Sequence, residues 1–309
     1  MRSTTVSTKF AGVASTELTR MQLVTFTHAG ATRVGRLEGA EIVDLAAAAP
    51  ALPKEMAALL AGGGMQAAGA ARGPRVALQE ARIEAPLLRP AKILAVGLNY
   101  ADHVAETGRK PPTVPLIFNK QPTAVTGPGQ PIHRPRVSEQ LDYEGELAFV
   151  IGRRCRHVPR ARAAQVIAGY TLCNDVSVRD WQRRSPTMTM GKSFDTHCPM
   201  GPALVSADEV GGAPGALGLG LRTWVNGELR QHSNTRELIF DCAALVEHLS
   251  TAFTLEPGDV ITTGTPGGVA GAMHPPRWLR PGDVVRIEIE GLGALENPVI
   301  EEPENTTLG

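Results

Sequence analysis

The sequence predicts an α+β fold in which β-strands dominate, with a small N-terminal unit ahead of a larger one. Two observations support this prediction. The chain has 33 glycines and 24 prolines among its 309 residues, so turns must be frequent and the elements between them short. Short segments in which apolar and polar residues alternate recur along the chain, and this period of two is typical of half-buried strands.

Composition excludes several classes of protein. Formal net charge is zero and the pI is about 7.1, so the basic excess of a nucleic-acid-binding protein is missing. No apolar run reaches the roughly 20 residues that a membrane-spanning helix needs. The four cysteines are far apart and form no CxxC pair, which favours reduced, buried thiols over a zinc site or a disulfide framework. We therefore expect a cytoplasmic protein that acts on a small molecule, without nucleic-acid or membrane partners.

The chain divides into four stretches. Residues 1–20 are rich in Ser and Thr and contain no apolar core of a secretory signal, so we expect a disordered extension. Residues 21–87 form the small N-terminal domain, residues 88–303 the larger domain, and residues 304–309 a tail.

The N-terminal domain should begin with an antiparallel unit and continue with helices. Strands are predicted over residues 21–26, 33–37 and 41–45 because apolar residues alternate there. Residues 46–80 are rich in Ala and interrupted by Gly, which is typical of short helices.

The larger domain should be built from strands with a few helices. Strands are predicted over 92–97, 141–151, 221–225 and 286–290, a helix over 99–106 and over 235–253, and a helix followed by a strand over 161–173. Residues 109–137 should be rich in loops and residues 182–203 irregular. Asn226-Gly227 after the third of these strands is a strong hairpin signal. Pro-Gly pairs at 257–258 and 281–282 predict two turns with Gly at positive φ.

Three acidic residues form a candidate metal site. Glu144 and Glu146 would share one face of a strand, about 7 Å apart, and their largely apolar neighbours predict a strand buried on both sides. Asp175 follows the apolar segment 166–173. Three carboxylates suit Mg²⁺, Mn²⁺ or Ca²⁺ and leave positions open for substrate. Each residue also has a simpler interpretation: a solvated strand end for the glutamates, and an Asx turn for Asp175.

Two further groups could take part in catalysis beside such a site. His103 and Glu106 are three residues apart, so on a helix the carboxylate could orient the imidazole to activate water. Lys192 lies between Gly191 and Ser193 and could stabilise an oxyanion, or act as a Schiff-base nucleophile if desolvated. A surface ion pair and a surface lysine are the alternatives.

The segment Thr263-Gly264-Thr265-Pro266-Gly267-Gly268 is a tight turn. Its backbone N–H groups and the Thr265 hydroxyl could hold a substrate carboxylate. The spacing is not that of a phosphate-binding P-loop, and no lysine follows. The alternative is a turn without a binding role, which is the usual case for glycine-rich turns.

The order of these segments closely resembles the fumarylacetoacetate hydrolase family. The resemblance runs from about residue 21 to 298. It rests on Gly97-Leu98-Asn99-Tyr100 with His103 and Glu106, on Asp142-Tyr143-Glu144-Gly145-Glu146-Leu147, on Asn174-Asp175-Val176-Ser177-Val178-Arg179-Asp180, on Gly191-Lys192-Ser193-Phe194-Asp195-Thr196, and on Thr263-Gly264-Thr265-Pro266.

The resemblance implies a fold and a role for each candidate residue. The family fold is a mixed β-sheet roll with a small N-terminal domain, commonly as a homodimer. By resemblance, the metal carboxylates are Glu144, Glu146 and Asp175; the water-activating pair on a lid helix is His103 and Glu106; the lysine that stabilises negative charge is Lys192; and the substrate contacts are Arg179, Gln182 and Thr265.

Two departures from the family pattern matter. Fumarylacetoacetase itself has a further metal carboxylate upstream of the lid, whereas residues 94–99 contain no acid, so the chain resembles the shorter acylpyruvate hydrolase and oxaloacetate decarboxylase branch. His197 stands in a segment where many relatives have an aromatic and a small residue. It would either shape the pocket or pack inside a loop.

These features suggest hydrolysis of a C–C bond in a 2,4-dioxo acid through a metal-bound enolate. The same enolate would serve decarboxylation of oxaloacetate, or isomerisation or hydration of an unsaturated 2-oxo diacid in aromatic catabolism, and the sequence leaves these outcomes open. Two alternatives from other classes are an aldolase that uses Lys192 as a Schiff base and a non-catalytic binding protein.

Overall fold

The structure, a computed structural model, describes residues 21–304. The expectations for residues 1–20 and for most of the tail lie outside the described residues. The strands are β1 Gln22–His28, β2 Ala31–Glu38, β3 Glu41–Asp44, β4 Arg75–Ala77, β5 Arg82–Ile83, β6 Ile93–Gly97, β7 Leu116–Lys120, β8 Val125–Thr126, β9 Ile132–Arg134, β10 Leu141–Asp142, β11 Gly145–Ile151, β12 Ile167–Asn174, β13 Ser177–Val178, β14 Cys198–Ser206, β15 Gly220–Val225, β16 Glu228–Asn234, β17 Val260–Thr262, β18 Val284–Ile289 and β19 Gly293–Glu301.

The helices are short. They are α1 Leu45–Ala48, α2 Met56–Ala61, α3 Met65–Ala70, α4 Ala101–Thr107, α5 Arg179–Gln182, α6 Thr189–Lys192, α7 Ala207–Val210 and α8 Cys242–Ala252, with 3₁₀ turns at Leu78–Glu80, Pro122–Ala124, Arg160–Gln165, Thr235–Glu237 and Ala270–Ala272. Strands thus dominate the described residues, and the predicted α+β class is confirmed. Within residues 21–304 we find no helix with the length and apolar character needed to cross a membrane.

Two large sheets make up the fold. The first follows the order β4-β3-β2-β1-β14-β12-β11-β17-β6-β7, with β5 paired to β1 and β8 to β14. The second follows the order β16-β15-β18-β19-β9, and a separate two-stranded sheet joins β10 to β13. The strands before residue 87 extend the first sheet, because β1 pairs with β14 at Gln22↔Val205 and Leu23↔Leu204. The division into domains at residue 87 stays a prediction.

Strand β11 is the centre of the core. All seven of its residues are buried. Leu147, Phe149 and Ile151 belong to one hydrophobic cluster. Ala148 and Val150 point the other way, into a second cluster shared with the N-terminal strands and helices. The prediction of a strand buried on both faces is confirmed, and polar groups at its start are therefore removed from solvent.

Most predicted elements are present, but four predictions need correction. Strands β7 and β14 lie in regions predicted to be loop-rich or irregular. Prolines flank β7, and β14 contains Pro199 and Pro202, which lack a backbone N–H; pairing between β12 and β14 shifts register nearby. The predicted strand 141–151 breaks at residues 143–144. The predicted helix 235–253 starts only at Cys242, because Asp241 caps it by accepting a hydrogen bond from the Ala244 N–H.

The predicted turns have the expected backbone geometry. Asn226 and Gly227 have φ of 53° and 79°, the two positive values that a type I′ hairpin turn requires. Gly258 and Gly282 have φ of 89° and 97° after their prolines. The Asn226-Gly227 turn places β15 and β16 side by side as a hairpin, which packs against β11 near the candidate site.

Truncating a side chain in the buried core should destabilise the protein strongly. Leu172 on β12 is 0% exposed, so Leu172→Ala should lower the free energy of unfolding by about 2–5 kcal/mol through lost burial and the cavity left behind. Leu229→Ala is the matched control, because Leu229 is 49% exposed and its truncation should cost about 0.5 kcal/mol or less. Urea denaturation measures both variants, and equal losses would contradict the assigned core.

Candidate active site

The three predicted acidic residues converge. Glu144 lies just before β11, Glu146 is the second residue of β11, and Asp175 follows β12. Antiparallel pairing of Gly145 with Asn174 places the start of β11 beside the end of β12. One carboxylate oxygen from each of the three residues lies within 4.8 Å of the others, and all three residues are buried. Convergence of the three carboxylates, predicted from sequence, is thus observed.

Local hydrogen bonds fix the backbone around this cluster. The Asp175 N–H donates to the Glu144 carbonyl at 2.9 Å. The Glu144 N–H donates to Asn174 Oδ1 at 3.0 Å. A Cβ atom on Gly145 would lie 2.3 Å from Thr223 Oγ1 of the neighbouring hairpin. Glycine between the two glutamates therefore permits the second sheet to pack directly against the strand that bears them.

Two lysines approach the cluster. Lys192 Nζ lies 2.6 Å from Glu144 Oε2 and 2.7 Å from Asp175 Oδ2. Lys120 Nζ, on β7, lies 2.6 Å from Asp175 Oδ1. Both lysines are 2% exposed, so their charges are compensated by the carboxylates and not by water. Lys120 also donates to the Lys192 carbonyl, which fixes the backbone of the other lysine.

Burial and neighbouring charges shift the pKa values of Glu144 and Glu146 in opposite directions. Burial alone would raise the pKa of Glu144, but Arg179 and Lys192 outweigh it and hold that pKa well below its ordinary value. Burial, together with Asp175 and Glu144, raises the pKa of Glu146 well above its ordinary value. Glu146 therefore holds a proton more tightly than Glu144 when no cation is bound.

The pKa of Lys192 bears on two of the proposed roles. Burial alone would lower this pKa, but Asp175 and Glu144 outweigh burial and raise it. A lysine that stays protonated can meet negative charge on a substrate oxygen. It is a poor Schiff-base nucleophile, which requires a lowered pKa. The environment of Lys192 therefore favours oxyanion stabilisation over the aldolase alternative.

Arg179 connects the acidic cluster to Asp142 and Gln182. Its Nε donates to Asp142 Oδ2 at 2.8 Å, and its guanidinium lies 2.6 Å from Glu144 Oε1. It also donates to Gln182 Oε1 at 2.9 Å, which aligns the amide of that residue. Asp142 is 0% exposed and accepts the Ala270 and Gly271 N–H groups as well. Asp142 thus fixes the position of Arg179.

The donor set fits a hard divalent cation. Three carboxylates supply only oxygen ligands, which Mg²⁺, Mn²⁺ and Ca²⁺ prefer. The Lys192 ammonium already bridges two of the carboxylates, so this position attracts positive charge. Glu144, Glu146 and Asp175 are the residues that would hold such an ion.

The predicted pair on the lid helix is also formed. We call α4 the lid helix. His103 Nδ1 lies 3.2 Å from Glu106 Oε2. Glu106 Oε1 accepts the Gly268 N–H at 2.8 Å, so the same carboxylate docks the lid helix on the glycine-rich turn 263–268. Contact through Nδ1 leaves Nε2 as the imidazole nitrogen able to exchange a proton with a substrate.

The glycine-rich turn is already occupied by internal contacts. The Gly264 N–H donates to Glu146 Oε2 at 2.8 Å. The Thr265 hydroxyl donates to the Gly145 carbonyl at 3.0 Å and accepts from Gln231 Nε2 at 2.8 Å. Thr265 would have to rotate away from Gly145 to bind a substrate carboxylate through its hydroxyl, and that role stays a prediction.

One cavity of about 730 Å³ connects these groups, within the usual range for a small-molecule site. Eight of the nine predicted site residues line it: His103, Glu106, Glu144, Glu146, Arg179, Gln182, Lys192 and Thr265. Asp175 lies behind them against the two lysines. Arg109 and Arg183 line the same cavity and add positive charge.

His197 does not line this cavity. It is 0% exposed, and its Nε2 donates to the His133 carbonyl at 2.8 Å. Burial lowers the pKa of His197 to about 3, so the imidazole stays neutral at physiological pH. Of the two roles considered from sequence, the structure favours the packed residue.

Three supporting residues escaped the sequence analysis. Lys120 lies on a strand that the proline-flanked sequence did not predict, although Leu116-Ile117-Phe118 is an apolar run that could have indicated it. Asp142 lies two residues before Glu144, but its sequence position alone does not indicate a role. Gln231 is far along the chain, and only the packing of the β15–β16 hairpin brings it to Gly145 and Thr265.

Removal of one carboxylate should weaken cation binding without unfolding the protein. Glu146→Gln resembles the protonated form of Glu146, so the melting temperature of the metal-free protein should change little. The dissociation constant for Mn²⁺, measured by calorimetry, should rise at least about 100-fold, because one of three ligands is lost. Glu80→Gln, at an exposed glutamate, is the control. An unchanged Mn²⁺ affinity in Glu146→Gln would contradict the assigned ligands.

Comparison with known proteins identifies relatives of this chain. Residues 92–300 match the family described as Fumarylacetoacetate (FAA) hydrolase C-terminal. A Xenopus laevis protein named oxaloacetate tautomerase fahd2, mitochondrial, is 42% identical over 270 residues, covering 85% of this chain and 84% of the relative.

Two solved structures are similar over almost the whole described chain. The 2-hydroxyhepta-2,4-diene-1,7-dioate isomerase from Mycobacterium marinum is 35% identical with a TM-score of 0.74, covering 92% of this chain and 100% of its own. Maleylpyruvate hydrolase from Sphingobium sp. SYK-6, in complex with manganese(II) ion and pyruvate, is 32% identical with a TM-score of 0.74 and the same coverage. Sequence and fold agree, and this chain is an enzyme of the fumarylacetoacetate hydrolase family.

Proposed function

We propose that this enzyme transfers a proton at C3 of a small 2-oxo diacid, and that keto–enol tautomerisation of oxaloacetate is the first reaction to test. The observation that carries the proposal is the His103–Glu106 pair at 3.2 Å, on the wall of the cavity that also contains Lys192 and the acidic cluster. The name of the Xenopus laevis relative supports the choice of substrate.

The charges of the cavity support a dianionic substrate. Arg109 and Arg183 line it, in addition to Arg179 and Lys192, which are paired with the acidic residues of the site. A divalent cation on the three carboxylates, Mg²⁺ or Mn²⁺, would act as a Lewis acid toward the 2-oxo and carboxylate oxygens of the keto acid. The manganese in the maleylpyruvate hydrolase structure supports this cofactor class.

The residues of the chain would divide the proton transfer between them. His103 Nε2 takes a proton from C3 while Glu106 stabilises the imidazolium through Nδ1. The Lys192 ammonium meets the negative charge that develops on the C2 oxygen. The imidazolium then gives its proton to that oxygen, so one C–H bond is exchanged for one O–H bond and no atom is gained or lost. Isomerisation of an unsaturated 2-oxo diacid would begin with the same removal of a proton from C3 but would return the proton to another carbon.

Hydrolysis of a C–C bond in a 2,4-dioxo acid is the second candidate. It is supported by the similarity to maleylpyruvate hydrolase. His103 would take a proton from water, the resulting hydroxide would attack the C4 carbonyl, and the C3–C4 bond would break with its electron pair going to C3 as an enolate. The His103 imidazolium would then return the proton to C3, which gives a pyruvate-like product and a carboxylic acid. The two candidates differ in whether water is consumed. Homodimer formation, implied by the family resemblance, stays a prediction.

Turnover should depend on a divalent cation and on substrate class. With Mg²⁺ or Mn²⁺, the enzyme should accelerate oxaloacetate enol–keto exchange, followed by absorbance of the enol, and chelation with EDTA should abolish the acceleration. A panel that includes acylpyruvates, followed by NMR for pyruvate release, tests hydrolysis in parallel. Release of pyruvate without oxaloacetate exchange would favour the second candidate, and inactivity on both classes would overturn the proposal.

His103→Asn should lower kcat about 10²–10⁴-fold, because the general base is lost. The Mn²⁺ affinity should stay unchanged, since His103 is not a ligand. His248→Asn, at an exposed histidine of α8, is the matched control and should keep full activity. Steady-state kinetics with oxaloacetate measures both variants. Undiminished kcat in His103→Asn would remove His103 from the proposed role.

A further inference from the structure

The lid helix cannot hold its position alone. It has seven residues, Ala101–Thr107, whereas isolated helices shorter than about 12–15 residues are marginal in water. The chain after it is largely exposed up to Val114. The position of His103 over the cavity must therefore come from tertiary contacts of the lid helix.

Hydrogen bonds from three side chains, those of Asn99, Asp102 and Glu106, dock the lid helix. Asn99, just before it, donates to the Thr263 carbonyl at 2.7 Å. Glu106, in its last turn, accepts the Gly268 N–H at 2.8 Å. Asp102, in its first turn, accepts the Ser233 hydroxyl on Oδ2 at 2.5 Å. The first two contacts reach the glycine-rich turn 263–268, and the third reaches β16 of the second sheet.

The contact with β16 continues to His103. Asp102 Oδ1 accepts the backbone N–H of His103 at 2.7 Å. It also lies 3.4 Å from the Gly267 nitrogen. Ser233, Asp102 and the His103 backbone thus form a chain of two hydrogen bonds, both to an acidic side chain and therefore stronger than neutral ones.

Ser233 stands on a strand that is fixed to the acidic cluster. Gln231, two residues earlier on β16, is 0% exposed. Its Oε1 accepts the Gly145 N–H at 3.0 Å, between the two glutamates. Its Nε2 donates to Thr265 Oγ1 and to the Pro266 carbonyl. β16 therefore carries one side chain that holds the acidic strand and another that holds the lid helix.

We propose that Ser233 is a positioning residue: through Asp102 it latches the lid helix to β16 and thereby sets the placement of His103 relative to the acidic cluster. The consequence for catalysis rests on the proposed role of His103, whereas the latch itself does not. Loss of the Ser233 hydroxyl leaves Asp102 without its partner on β16, so the first turn of the lid helix opens more often.

Hydrogen exchange on the substrate-free protein tests the latch directly. Ser233→Ala should speed amide exchange in residues 101–107 about tenfold to 100-fold, the factor that corresponds to a hydrogen bond to a charged group. Ser233→Thr keeps the hydroxyl and should restore slow exchange. His232→Ala, at the exposed neighbour on the same strand, is the control. Unchanged exchange at 101–107 in Ser233→Ala would overturn the proposal.

Kinetics distinguish a positioning role from a structural one. In Ser233→Ala, kcat should fall about tenfold while the Mn²⁺ affinity stays unchanged, because His103 is displaced and the cluster is not. Faster exchange spread evenly over β15 and β16, with weaker Mn²⁺ binding, would mean damage to the hairpin and would overturn the latch. If no keto acid is turned over, the exchange experiment still decides on the latch, while the proposed function fails separately.

Discussion

Compensation of buried charge is the constraint on which the rest of this structure depends. Glu144, Glu146 and Asp175 are almost completely removed from water with carboxylate oxygens within 4.8 Å of each other. Repulsion and desolvation would both oppose such a cluster. Lys192, Lys120 and Arg179 offset these costs in the fold described here, and a divalent cation would offset them further.

The arrangement of the two sheets brings the three acidic residues together. Antiparallel pairing of β11 with β12 places the start of one central strand beside the end of the other, which brings Glu144 and Glu146 next to Asp175. The β15–β16 hairpin then packs against Gly145, where any larger residue would meet the Thr223 side chain. Ala148 and Val150 follow Glu146 on the same face of β11 and pack into the hydrophobic cluster shared with the N-terminal strands, so apolar side chains cover this face beyond the acidic cluster.

Glu106 contacts both His103 and the glycine-rich turn. One oxygen contacts His103 Nδ1 and the other accepts the Gly268 N–H, so the carboxylate that orients the imidazole also docks the lid helix. Both proposed reactions, proton transfer at C3 and activation of water, would use this imidazole. Arg109 and Arg183 line the same cavity and favour negative charge there.

The sequence by itself determined the nature of most elements and, through its resemblance to a family, the candidate residues of the site. Alternation marked the strands, and Asn226-Gly227 marked the hairpin. These two features depend on neighbours in the chain, so they are readable from it. The acidic residues, Lys192, His103 and Glu106 were recognised because the order of their segments resembles the family.

Only the tertiary structure decided which other side chains contact and position the candidate site residues. Lys120 reaches Asp175 across 55 positions of the chain. Gln231 and Ser233 reach Gly145 and Asp102 across still longer separations, through a hairpin that no local pattern ties to the acidic strand. The pKa values of the acidic residues also depend on the tertiary structure. Glu144 and Glu146 are two residues apart, yet Arg179 and Lys192 lower the pKa of the first while burial raises that of the second. The physical reason is that desolvation and electrostatic interaction depend on distance in space, which the order of residues does not contain.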